Sequence, residues 1–112
     1  MDRKIAPIIN EYGGNLRGLG IRPEKIILFG SSANGRLLKD SDLDLAVISK
    51  DFSGMDLWER ACILGRARVG LKWPMEILGL SPDEFENAGK GSFIGDEVKT
   101  KGIDMLKTSA IG

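Results

Sequence analysis

The sequence predicts an α+β fold in two layers, a mixed β-sheet flanked by helices. Three observations carry this reading. Short runs rich in β-branched and aliphatic residues lie at 25–29, 42–49 and 75–80, each the length of a buried strand. Stretches with apolar residues three and four apart lie between and around them, which is the period of a helix packed on one face. The link between the first two strands is too short for a full helical crossover, so the sheet is mixed rather than all-parallel. The element order read from the chain is α-β-β-α-β-α-α-β.

The first helix carries Ile5, Ile8, Ile9, Tyr12, Leu16 and Leu19 on one stripe, with Gly13-Gly14 expected to end or loosen it. Gly20 and Arg22-Pro23 break the chain before the first strand. Residues 30–35 form a turn, and 36–41 a polar connection with room for one helical turn. Ser53 is the expected N-cap of the next helix, with Trp58, Ala61, Cys62, Gly65 and Val69 on its buried face. On this reading Cys62 is buried and inert, Trp58 and Trp73 are core, and Tyr12 sits at the core's edge. Trp73-Pro74 opens the third strand. Ser81-Pro82-Asp83-Glu84 joins a capping box to a proline at the first helical position. A helix over 92–101 is stopped by Gly102, and 103–106 is a short edge strand.

The chain has 112 residues, one domain's length, so a single domain over 1–112 is expected. Lys+Arg and Asp+Glu both number 16, so no net charge draws the chain to nucleic acid or an anionic membrane. One Cys excludes an internal disulfide and a multi-cysteine zinc site. The absence of His excludes Ser-His-Asp and Cys-His catalysis. Chemistry must therefore use carboxylates, Lys, Arg, hydroxyls, backbone amides or an oxygen-bound cation. No signal-peptide core and no membrane-length apolar run is found, so the expected location is cytoplasmic. Arg60, Arg66, Arg68 and Lys72 read as a solvated cationic helix face.

The informative stretch is Gly30-Ser31 followed by Asp42-Leu43-Asp44. A glycine after a buried strand lets backbone N–H groups approach an anion, and Ser31 adds a hydroxyl. Asp42 and Asp44, two apart on a strand, project from one face, while Leu43, Leu45 and Val47 point to the other. Two adjacent carboxylates invite a hard divalent cation, and magnesium suits carboxylates combined with substrate phosphates. From spacing alone, a β-turn followed by a solvated strand end fits equally well.

The whole string 26–36, IILFGSSANGR, followed by Ser41-Asp42-Leu43-Asp44-Leu45-Ala46-Val47, resembles the polymerase-β-like nucleotidyltransferase superfamily, in particular its stand-alone minimal members. The segment 92–103 resembles that family's closing helix and strand. The resemblance implies a nucleotidyltransferase fold, a nucleoside triphosphate substrate, ATP being the expected one, and transfer of a nucleotidyl group to an acceptor hydroxyl. It implies two magnesium ions held by Asp42 and Asp44, with Glu76 as the third carboxylate. It assigns the phosphates to Gly30, Ser31, Arg36 and Ser41. Relatives often carry Arg inside the Gly-Ser loop. This chain has Ser32 and Asn34 there, so Arg36 or Lys39 would have to substitute. The resemblance also implies a small helical partner of the HEPN class, or a second copy of the chain, to complete the acceptor site. The alternative function is a non-catalytic antitoxin or regulatory module that acts by binding that partner.

Overall fold

The structure, a computed structural model, describes residues 3–34 and 42–106. Helix α1 (Ile5–Gly18) buries Ile5, Ile9, Tyr12 and Leu16. It runs through Gly13-Gly14 instead of ending there. Gly13 faces the sheet, and a Cβ at that position would lie 3.4 Å from Ile26 Cδ1. The missing side chain thus brings the helix close to the strand, and packing outweighs the low helix propensity of glycine. Tyr12 is fully buried rather than at the core's edge, and its hydroxyl donates to the Leu64 carbonyl at 2.8 Å. Burial pushes its ionisation well above the ordinary tyrosine range. Leu19 caps the helix and is partly exposed.

The sheet has strands β1 (Lys25–Phe29), β2 (Leu43–Ile48), β3 (Met75–Leu80) and β4 (Ile103–Asp104), in the spatial order β3-β2-β1-β4. β1 pairs antiparallel with β2 and β4, and β2 pairs parallel with β3, so the sheet is mixed. β2 is flanked on both sides, which explains its nearly unbroken apolar run. Its Leu43, Leu45 and Val47 join Ile26 and Leu28 beneath α1 and α2 (Leu57–Arg66) in the larger core. The other face carries a smaller cluster of Ile27, Phe29, Ala46, Ile48, Leu80, Phe85 and Val98. Helix α3 (Pro82–Glu86) and a π-helical segment (Ile94–Thr100) supply its cover. β4 is shorter than expected, since Met105 and Leu106 leave the strand.

Helix α2 differs most from expectation. Asp56, not Ser53, is its N-cap; the Asp56 carboxylate accepts from the Glu59 amide at 2.8 Å, and Glu59 accepts in return from the Asp56 amide at 3.3 Å. The helix turns Arg60 and Leu64 inward, so Trp58, Ala61, Cys62, Gly65 and Val69 face solvent. Trp58 is 76 % exposed and Cys62 is exposed too, against the expectation of burial. Trp73 is half-buried against the core. The reason lies on β3. Gly79 leaves space that Leu64 Cδ1 and the Phe52 ring fill, 3.1 and 3.2 Å from where a Cβ would stand. An aliphatic side chain fits that hollow, whereas within the helix the alternative stripe offers an indole and three small residues, Ala61, Cys62 and Gly65.

Arg60 is buried, not part of a solvated cationic face. Its guanidinium donates to the carbonyls of Met55, Gly79 and Phe52 at 3.0–3.1 Å and to the Glu84 carboxylate at 2.6 Å. Glu84 also closes the expected capping box with Ser81, and these hydrogen bonds hold its pKa below the usual carboxylate range, the Ser81 amide contributing most. Among the described residues, no helix is long and apolar enough to cross a membrane.

Candidate active site

The site lies at one end of the sheet, where β1 finishes and β2 and β3 begin. The antiparallel register sets Phe29 opposite Asp44, so the chain leaving β1 at Gly30 arrives beside the Asp44 side chain. Gly30 has φ +71°, a left-handed conformation that an L side chain rarely adopts. A Cβ at this position would collide with the Asp44 carboxylate. Glycine is therefore required twice over, by the backbone conformation and by the close approach of the carboxylate.

From Gly30 to Asn34 the chain makes a 3₁₀ turn. Buried Ser32 donates its hydroxyl to the Asp42 carbonyl at 3.0 Å, which ties the turn to the start of β2. Ser31 is exposed beside it. Asp42 and Asp44 thus sit two residues apart at the mouth of the central strand. Of the other expected phosphate-binding residues, Arg36 and Ser41 lie outside the described residues, as does Lys39.

On the other side of β2, the parallel register pairs Asp44 with Glu76. Paired residues on neighbouring strands share a face about 4.8 Å apart, so the backbone aligns Asp44 and Glu76 towards the same hollow. Asp44 is half-buried, while Glu76 is exposed. Burial raises the Asp44 pKa above the ordinary aspartate value, and the negative charges of Glu76 and Asp42 raise it further. Among the described residues, no cation pairs with Asp44 or Glu76.

The donor set suits a hard divalent cation, being all carboxylate oxygen and mutually repulsive until neutralised. The side chains do not, however, close into a finished ligand set. No three His, Cys, Asp or Glu side chains among the described residues converge far enough to hold a metal ion. The backbone register pairs Asp44 with Glu76, and Glu76 is the exposed member of the pair. What favours a hard cation here is the all-oxygen, acidic chemistry of Asp42, Asp44 and Glu76 together with the Asp44–Glu76 register.

A hollow of about 440 Å³ opens over these carboxylates, walled by Gly30, Asp44 and Glu76 and, on its apolar side, by Ile77, Leu78 and Phe93. Phe93 packs edge-on against Phe29, with ring centroids 5.8 Å apart, and is more than half exposed. Glu97 completes the lining. Phe93 and Glu97 were not singled out from the sequence. Their signal was present as a four-residue spacing on the closing helix, Phe93-Glu97-Lys101, which places all three along one helical face.

The family described as "Nucleotidyltransferase domain" matches residues 8–103. The chain belongs to that family. A Methanocaldococcus jannaschii protein named "putative protein adenylyltransferase" is 33% identical over 104 residues, covering 91% of this chain and 99% of that protein. A crystal structure of a "putative nucleotidyltransferase" from Sulfolobus solfataricus superposes with a TM-score of 0.59 at 20% identity, covering 74% of this chain and 72% of the other. That likeness shows that the fold is a nucleotidyltransferase fold.

Proposed function

We propose that this chain, acting as a single minimal nucleotidyltransferase domain, moves an AMP group from ATP to a hydroxyl on a protein. The observation that carries the reading is the register-aligned Asp44–Glu76 pair set against a left-handed Gly30, with the Asp44 pKa raised by burial and by its acidic neighbours. The M. jannaschii relative's name supports a protein as the acceptor.

In the reaction the acceptor oxygen bonds to the α-phosphorus and the bond from that phosphorus to the β-phosphate oxygen breaks. Pyrophosphate leaves with the bonding electron pair. Glu76, an exposed carboxylate on β3, takes the hydroxyl proton. The Gly30-Ser31 turn orients the phosphates through backbone N–H groups and the Ser31 hydroxyl. Asp42, Asp44 and Glu76 would hold magnesium, which when bound would supply positive charge to offset the phosphates and the charge on the leaving group. A cytoplasmic location belongs to the same reading, since an exposed lone Cys62 stays reduced there. The test is transfer of label from α-labelled ATP in the presence of magnesium. Label should move with the wild type and not with Asp44→Asn.

One observation favours a second reading, that of a regulatory module which binds a small helical HEPN-type partner. Leu57, Trp58 and Val69, each more than three-quarters exposed, form an apolar surface around α2 that the fold itself does not cover. A partner held there would bind Asp44→Asn as tightly as the wild type, and a second copy of the chain would reveal itself as a dimer in solution.

A further inference from the structure

The carboxylate hollow does not stand alone. A second hollow of about 310 Å³ adjoins it and is lined by Gly30, Ser31, Ala33, Glu97 and Lys101. The two share Gly30 and Glu97, so they are two arms of one cleft around the Gly30-Ser31 turn. One arm is lined by acids and an apolar wall. The other offers a hydroxyl, a turn with its backbone, and a lysine.

Resting on the nucleotidyl-transfer reading, we propose that Lys101 binds the β- and γ-phosphates of the nucleotide, and that Glu97 holds Lys101 in place until the nucleotide arrives. A triphosphate carries several negative charges, and a turn with a serine hydroxyl carries none to offset them. Among the described residues, Lys101 is the cation lining either arm. Its Nζ lies 3.2 Å from Glu97 Oε1. The Lys101 side chain is largely exposed and that of Glu97 partly so, and a solvent-screened ion pair of that kind is weak enough to exchange for a phosphate oxygen.

The backbone around Lys101 is fixed more firmly than a surface lysine requires. Thr100 donates its hydroxyl to the Gly95 carbonyl at 2.8 Å, one π-helical turn back. Gly102 donates its amide to the Val98 carbonyl at 3.0 Å, and a Cβ on Gly102 would collide with that carbonyl and with Ile27 of β1. Gly95 is packed equally close on the Gly89 carbonyl. Gly102, on one side of Lys101, thus packs on the strand that delivers Gly30, and Thr100, on the other, is tied to its own helical turn. π-Helical turns of this sort concentrate at functional sites.

The experiment is calorimetric titration of ATP and, separately, AMP into the full chain with magnesium present. Lys101→Met should weaken ATP about tenfold, the size of one charge-assisted contact, and AMP less than about twofold. Lys101→Arg should retain most of the affinity. Glu97→Gln should tighten ATP about two- to threefold, and the gain should vanish when Lys101→Met is added. Unchanged ATP affinity in Lys101→Met, with the wild type binding well, would overturn the assignment and leave nucleotidyl transfer standing. Equal loss of ATP and AMP would also overturn it, since that marks a structural role; a melting curve matching the wild type's verifies that the variant is folded. Weaker ATP binding in Glu97→Gln would overturn the holding role of Glu97. If the wild type binds neither nucleotide, the transfer reading and this inference fall together.

Discussion

Asp44→Asn tests whether the acidic site carries electrostatic strain in the absence of a cation. Burial, Glu76 and Asp42 all raise the Asp44 pKa, so the folded state prefers the protonated carboxyl more than the unfolded chain does. A raised folded-state pKa contributes stability that is fully present below the unfolded value and lost as pH rises through the folded one. At neutral pH, therefore, ionised Asp44 works against folding. Like charges screened by solvent repel on a scale of about 1 kcal/mol, and because Glu76 is exposed that scale applies. Asparagine keeps the shape and removes the charge. Asp44→Asn should then be more stable than the wild type by about 1 kcal/mol at pH 7 in the presence of a chelator, a rise in Tm of about 4 °C. The gap should shrink towards about pH 3, where the wild-type carboxyl is protonated in both states. Magnesium should raise the wild-type Tm and leave the variant's nearly unchanged, and transfer from ATP should be lost. Thermal melts at the two pH values, with and without magnesium, read out all of this. A variant less stable than the wild type at pH 7, or a gap independent of pH, would refute the argument that this carboxylate is strained.

Gly30→Val should abolish ATP binding, because a side chain there meets both a disfavoured dihedral and the Asp44 carboxylate; Ser31→Ala should cost only about 0.5–1.5 kcal/mol in affinity, and titration distinguishes them. Arg60→Met should lower unfolding free energy by about 2–4 kcal/mol, since three carbonyls lose their donor, which denaturant melts would detect. The lowered Glu84 pKa contributes stability above the unfolded value that is lost as pH falls through the folded one, so acid melts of Glu84→Gln should show a shallower decline than the wild type. Glu76→Gln should reduce turnover more than ATP affinity in steady-state assays, because Glu76 stands one strand beyond Asp44, which is the carboxylate that adjoins Gly30.

The strands were legible in the sequence because β-branched runs bounded by Gly and Pro have few alternatives. β3 came out at Met75–Leu80, and the Ser81–Glu84 box started α3 as the residues dictate. What failed was the rotation of α2. Its sequence carries two apolar stripes, and only the hollow left by Gly79 on another strand decides between them. The buried stripe includes an arginine, which no pattern of hydrophobicity assigns to a core. Its burial depends on three carbonyls and a carboxylate contributed by residues up to 24 positions away. The length of α1 was misjudged for a similar reason, since Gly13 weakens an isolated helix and tightens a packed one.

The same distinction explains the site. Gly30 and Asp44 could be brought together from the sequence because they lie on adjoining segments, whose antiparallel register sets Phe29 opposite Asp44. Glu76 needed one further step, the parallel register of β3 on β2, which a flanking run of apolar residues suggests but does not fix. The residues of the closing segment needed the most, because Phe93, Glu97 and Lys101 reach the cleft only through a π-helical turn, after which Gly102 packs on Ile27 of β1. Each added increment of tertiary structure brings in a group of different chemistry: carboxylates from the strands, an aromatic wall and a cation from the closing segment. The acidic arm of the cleft is thus specified locally, and the lysine of its other arm only by the completed fold.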